Sequence, residues 1–118
     1  MFDAKNMVNT FYMHLQNKYF QQIKNGEKSL ELRLYDEKRR QLKYGDLIIW
    51  SNLENKENLT TKITNFYYAD NFSQLCRSIN ILQTGFADEK AFLAALTEIY
   101  PPEKQQQYGV VAIELELI

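Results

Sequence analysis

Gly26-Glu27-Lys28-Ser29-Leu30-Glu31-Leu32-Arg33 is the stretch whose reading decides the fold. A turn glycine, two cations and two carboxylates lead into alternating leucines. In an extended chain successive side chains point to opposite faces, so Leu30, Leu32 and Leu34 share one face. Ser29, Glu31, Arg33 and Tyr35 share the other. The leucines are enough to dock a strand on a core. The second face then carries Glu31 beside Arg33, with Lys28 at the strand entrance. A solvated face of an antiparallel sheet gives the same pattern, and that reading stands beside the one in which these residues hold a polar ligand.

Working outward, the run from Tyr19 to Arg39, followed by Lys43-Tyr44-Gly45-Asp46, resembles the ASCH domain family. That family carries a signature of the form G-x-K-x-x-E-x-R, and Gly26, Lys28, Glu31 and Arg33 fill its fixed positions. The Gly45-Asp46 pair before an apolar strand matches a second recurrent feature. The closing Tyr108-Gly109-Val110-Val111-Ala112-Ile113 resembles it more loosely, so the likeness covers nearly the whole chain. The resemblance implies a PUA-like fold: a small β-barrel of the α+β class with short helices inserted, spanning residues 1–118 as one domain. It also implies RNA or a nucleotide-like small molecule as the ligand.

Composition agrees with a globular domain. Of 118 residues 45% are apolar and 25% charged, enough for a core without covalent staples. No stretch resembles a leader peptide or approaches the length of a membrane helix, so no membrane association is expected. Cys76 is the single cysteine, which excludes an internal disulfide and leads us to expect a reducing, cytoplasmic setting. Its neighbours Phe72, Leu75 and Ile79 make it a core thiol rather than a nucleophile. The net charge of −1 conceals an uneven distribution. Lys18 to Lys43 holds eight cations against four acids, and the remainder holds six against eleven. Any nucleic acid is therefore expected at a site and not over the whole surface.

Along the chain, residues 9–15 read as a first strand. Asn17 is expected to cap a helix over 18–24 that buries Phe20 and Ile23 and ends at Asn25-Gly26. The strand 30–35 follows, then a polar turn over 36–41. Tyr44-Gly45-Asp46 marks a turn before a buried strand, Leu47 to Trp50. A hairpin loop over 53–58 leads to a strand over 59–68. A short helix is expected over 72–79, with 80–86 irregular. Asp88 caps a helix with Phe92, Leu96 and Ile99 as its apolar stripe, and Pro101-Pro102 stops it. Residues 110–118 form the last strand, with Val111, Ile113, Leu115 and Leu117 on one face and Ala112, Glu114 and Glu116 on the other.

The candidate binding residues are Gly26, Lys28, Glu31, Arg33, Tyr35, Lys38, Arg39 and Arg40. Arginine offers a planar fork of donors to phosphate, and lysine a point charge. Glu31 either holds Arg33 in place or accepts a donor from a base edge. Lys38-Arg39-Arg40 is equally readable as a solvated charge run. Bases in RNA are commonly stacked on aromatics beside such cations. The aromatics available are Tyr35, Trp50, Phe66, Tyr67, Tyr68 and Phe72; Tyr35 is set apart because it shares the polar face.

Enzymatic signals are sparse. No nucleophile elbow, P-loop or dinucleotide fingerprint occurs, and the lone His14 offers no metal constellation, so neither a metal nor a cofactor is expected. Lys28 and Glu31 remain as an acid–base pair if the protein is an enzyme. One ASCH-like branch hydrolyses the acetyl amide of N4-acetylcytidine with a lysine, a threonine and a glutamate. Lys28 matches the lysine, Glu31 stands in the threonine position, and Thr84-Gly85-Phe86 stands where the glutamate lies, with Asp88 and Glu89 out of register. Another branch cleaves RNA. A hydrolase acting on RNA or a modified nucleoside is thus the alternative function. A protein-interaction module is the third, and it requires no ligand-sized cleft at the octet.

Overall fold

The computed structural model describes residues 7–118. Five strands form one mixed sheet: β1 (Thr10–Leu15), β2 (Leu30–Leu34), β3 (Leu47–Asn52), β4 (Asn58–Ala69) and β5 (Val110–Leu117). Their order is β1-β3-β4-β5-β2, parallel between β1 and β3 and antiparallel elsewhere. Five helices accompany them: α1 (Asn17–Lys24), α2 (Glu37–Arg40), α3 (Phe72–Leu75), α4 (Glu89–Ile99) and α5 (Pro102–Tyr108), with a 3-10 turn at Ile81–Thr84. The sheet curls into a half-barrel, the open form of the PUA-like barrel that the sequence led us to expect.

The curl leaves two cores. The concave side holds Met13, Leu15, Ile48, Trp50, Ile63, Val111 and Ile113, and α1 plugs one end with Phe20 and Ile23. The convex side of β2 and β5 holds Leu30, Leu32, Val110 and Ala112 beneath Phe72, Leu75, Phe92 and Leu96 of α3 and α4. Helix cover on one face and barrel interior on the other bury β2 and the start of β5 from both sides. The solvated-face reading of the octet is thereby overturned: Glu31 keeps only 6% of its surface exposed. Ala112, placed by alternation with the polar Glu114 and Glu116, is fully buried for the same reason.

Turn chemistry sets the strand entrances. Gly26 follows α1 with φ +81°, a left-handed conformation that any β-carbon would strain, and its N–H donates to the Ile23 carbonyl. A β-carbon there would meet no protein atom within 4 Å, so the backbone conformation of the turn, and not crowding within the fold, calls for glycine. Gly45 has φ +88°. Beside it the buried Asp46 carboxylate accepts from the Lys43 N–H at 2.9 Å and the Asn9 N–H at 3.1 Å, tying the turn to the start of β1. This is the physical content of the Gly-Asp feature.

Other expectations are corrected. The N-cap of α1 is Gln16, without a side-chain bond. Asn17 instead lends its Oδ1 to Gln21 and Asn52. The helix after Phe72 stops at Leu75, and α5 starts at Pro102, which was read only as a stop. Proline has no N–H to lose at a first helical position, so it ends one helix and opens the next. Asp88 does cap α4, accepting from the Ala91 N–H at 2.8 Å. Ile99 and Leu117, however, are exposed.

Candidate functional site

β1 and β2 are the two edge strands, and the strand directions make them antiparallel across the mouth of the half-barrel. The carbonyls of Asn9 and Leu15 pair with the β3 side, at Leu47 and Leu53. By alternation, the carbonyls of Tyr12 and His14 face the open seam. Two cations reach them from the other side. Arg33 Nη2 donates to the His14 carbonyl at 2.9 Å, and Lys38 Nζ to that of Tyr12 at 3.4 Å. Side chains thus bridge a seam that the backbone leaves open.

Beside this seam lies a cleft of about 180 Å³. Its floor is an ionic triad from the octet. Glu31 Oε2 accepts from Arg33 Nη2 at 3.0 Å and Nε at 3.2 Å. Its Oε1 accepts from the Leu32 N–H at 3.1 Å and lies 3.4 Å from Lys28 Nζ. Both carboxylate oxygens are therefore engaged, and of the two roles expected for Glu31 the geometry supports orienting Arg33. Lys28 is 3% exposed and also donates to the carbonyls of Leu30 at 2.8 Å and Thr84 at 2.9 Å. Two of the ammonium's three donors are thus spent on carbonyls, and the Glu31 contact is an ion pair. The segment matched to the missing glutamate does reach Lys28, through a main-chain carbonyl. Arg33 differs: its Nη1 has no hydrogen-bond partner among the described residues and is not sealed from solvent. Its guanidinium lies 5.5 Å from the centre of the Trp50 ring.

The triad's charges are shifted in distinct ways. Burial pushes Glu31 up, but the nearby charges of Arg33 and Lys28 outweigh it and hold the carboxyl below its ordinary range. Burial pulls Lys28 down, and its single carboxylate, opposed by Arg33, does not restore it. Burial also works against Arg33, where the Glu31 charge prevails and raises it. The carboxylate wins because it faces two cations and a backbone N–H, whereas Lys28 faces one anion. A carboxyl depressed by folding contributes stability that is complete above its unfolded pKa, near 4.3, and lost as pH falls through the folded value. Urea midpoints measured from pH 7 downward should therefore drop below about pH 4.5, and Glu31→Gln should flatten that acid limb. An equally steep limb in Glu31→Gln would assign acid sensitivity to other carboxylates.

Aromatic and apolar groups make the walls. Tyr19 and Phe86 stand 6.1 Å apart at 60°, and Tyr100 faces the cleft from the end of α4. Leu53 and Ile99, both largely exposed, form its lips. Tyr19 and Tyr100 have hydroxyl pKa values raised chiefly by burial. None of the aromatics singled out in the sequence lines this cleft. Trp50 is in the core with its Nε1 on Thr61 Oγ1, and Phe72 and Tyr67 belong to the convex core. The wall residues come from three distant segments, and no local pattern marks them.

The structure divides the predicted site. Lys28, Glu31 and Arg33 meet in the cleft, while Gly26, Tyr35, Lys38, Arg39 and Arg40 do not line it. Arg39 is turned inward onto Asp36, with Nη1 3.1 Å from Oδ2. Lys38 and Arg40 stay exposed. His14 enters through its carbonyl, a contribution that no side-chain motif reports. Cys76 is buried, its thiol pushed up by burial, with Sγ 3.0 Å from the Ser73 carbonyl. Among the described residues no group of three or more His, Cys, Asp or Glu is placed to hold a metal, and no helix is long and apolar enough to cross a membrane.

This architecture has solved counterparts. The hypothetical protein PH0355 superposes with a TM-score of 0.82 at 36% identity, over 92% of this chain and 99% of that one. Protein PF0455 from Pyrococcus furiosus gives 0.73 at 32% identity, over 92% and 97%. The ASCH domain from Lactobacillus crispatus gives 0.67 over 93% and 80%, at an identity of 16% that speaks for the fold alone. No curated protein matches the chain. The family model described as ASCH domain matches residues 13–118, a span that takes in the whole sheet but its first three strand residues, together with the triad and every wall of the cleft. On the match of the family model and of two solved structures above 30% identity, the chain belongs to the ASCH domain family.

Proposed function

We propose that this chain acts as one ASCH domain of the reducing cytoplasm that binds RNA or a nucleotide-like ligand, taking a single unstacked base into the cleft above Arg33. One observation carries the reading: apolar and aromatic walls converge on a guanidinium that is rigidly held and has one free edge. Glu31 and the His14 carbonyl fix Arg33 in place, so little freedom is lost when Nη1 donates to a base carbonyl or a phosphate oxygen. Pockets for drug-sized ligands span about 300–1,000 Å³, so a cleft of about 180 Å³ suits one ring better than an extended ligand. Stacking on aromatics beside basic groups is how unpaired bases are commonly held.

The hydrolase reading draws no support from the triad. A lysine base needs a lone pair aimed at substrate, and here Lys28 Nζ is buried, donates to two carbonyls and is ion-paired with Glu31. The interaction-module reading predicts no ligand-sized cleft at the octet and an exposed apolar patch elsewhere, and the cleft beside the triad weighs against it.

The test is a gel titration of end-labelled RNA, single-stranded and hairpin, against wild type, Arg33→Lys and Ile99→Glu. Wild type should shift RNA without cleaving it. Arg33→Lys keeps the charge beside Glu31 but loses the fork, and should bind about tenfold more weakly. Ile99→Glu puts an anion on an exposed lip and should do likewise without harming the fold. Undiminished binding by both variants would remove the cleft from the account. Cleavage products would revive the hydrolase.

A further inference from the structure

A second surface adjoins the cleft along the same seam, and the sequence assigned its residues to the cleft itself. Tyr35 lies two residues beyond Arg33, just past the end of β2, its N–H donating to the Gly109 carbonyl at 2.9 Å. Its ring centre is 4.8 Å from that of Tyr68, which in turn stacks on Phe66 at 5.9 Å and 15°. Tyr68 is 54% exposed although it has two ring neighbours. Arg40 lies over Tyr35, its guanidinium carbon 4.1 Å from the ring centre, and is anchored by Nη2 to the Tyr108 carbonyl at 3.1 Å. Lys38 stands alongside, held to β1 through the Tyr12 carbonyl. The one neighbouring acid on this turn without an ion pair among the described residues is Glu37; Asp36 is occupied by Arg39.

We infer that this strip, Tyr35, Phe66 and Tyr68 with Arg40 and Lys38, is a second subsite that carries the nucleotides flanking the base in the cleft, so that the ligand is a single strand of RNA and not a free nucleotide. The inference rests on the cleft reading and extends it. The exposed Tyr68 ring, backed by Phe66 and Tyr35, offers stacking to any base, and two anchored cations offer phosphate contacts. Arg33 and Lys38 both reach the β1 edge, at carbonyls two residues apart, so cationic groups run continuously along the seam from cleft to strip. Neither a duplex, whose bases are hidden, nor a mononucleotide uses both surfaces.

Fluorescence anisotropy with a single-stranded RNA of about ten nucleotides separates the two subsites. Tyr68→Ala and Arg40→Gln should each weaken binding at least about fivefold, while Tyr68→Phe, which keeps the ring, should bind as wild type. Both altered side chains are exposed, and circular dichroism melts confirm the fold of each variant. Each affinity should also fall with salt, less steeply in Arg40→Gln by about one phosphate contact. If Ile99→Glu weakens the RNA and neither Tyr68→Ala nor Arg40→Gln does, the strip is edge packing, the inference fails and the cleft reading stands. If the strip variants weaken binding and Ile99→Glu does not, the cleft reading fails, and with it the flanking role: the strip is then an RNA site in its own right. Wild type that does not bind the strand overturns both.

Discussion

Glu31→Ala should lower the free energy of unfolding by about 3–5 kcal/mol, the range seen when one member of a buried ionic group is removed. The cost arises from what is left behind. Lys28 and Arg33 would face each other with no anion between them, Lys28 almost wholly buried and Arg33 largely so. The Leu32 N–H would also lose its acceptor. Urea unfolding followed by circular dichroism at pH 7 measures the change, and a loss under about 1 kcal/mol would mean that water or rearrangement replaces the carboxylate. Converting all three positions to apolar residues of similar volume should be far less harmful than the single change, because no orphaned charge remains. A triple variant that keeps its stability but loses RNA binding would place the value of the triad in recognition.

Phe72→Ala should cost a similar amount, about 3–5 kcal/mol, by opening a cavity in the convex core. Phe72 is 1% exposed, meets Phe92 edge-on at 6.1 Å and stacks on Tyr100 at 5.7 Å. Its expected effect extends beyond stability, because Tyr100 is also a wall of the cleft. Removing its support should loosen that wall, and RNA affinity at a temperature where the variant stays folded should fall as well. The exposed Leu82→Ala serves as control and should stay within about 0.5 kcal/mol. Wild-type affinity in a destabilised Phe72→Ala would show that Tyr100 is held by its own helix and not by the core beneath it.

Much of this was readable in advance, for identifiable reasons. Five strands emerge from period-two and β-branched patterns, and α4 from Asp88 with Phe92 and Leu96 behind it, because these signals are local and strong. The octet disclosed which side chains would meet: Lys28, Glu31 and Arg33 fall in one short segment whose geometry is nearly decided by its own backbone. What failed had non-local causes. Periodicity alone does not reveal that the half-barrel closes over the face of β2 opposite its leucines, so Glu31 read as solvated. Tyr35 and the Lys38–Arg40 run belong to the same stretch of sequence as the triad, yet Tyr35 lies past the end of β2 and the helix that Asp36 caps carries the cations away from the cleft.

Taken alone, the sequence determined the family, the α+β class, most strand and helix positions and the identity of the charged residues at the site, since each rests on spacing along a few neighbouring residues. Tertiary structure decided what those charges do. Curling the sheet brought the free edges of β1 and β2 together, so that Arg33 found the His14 carbonyl, and packing the 3-10 turn beside β2 gave Lys28 the Thr84 carbonyl. It also assembled walls from Tyr19, Phe86 and Tyr100, which lie far apart in the chain. Burial and long-range closure select among the partners a charged side chain can take, and they exist only once the whole sheet has formed.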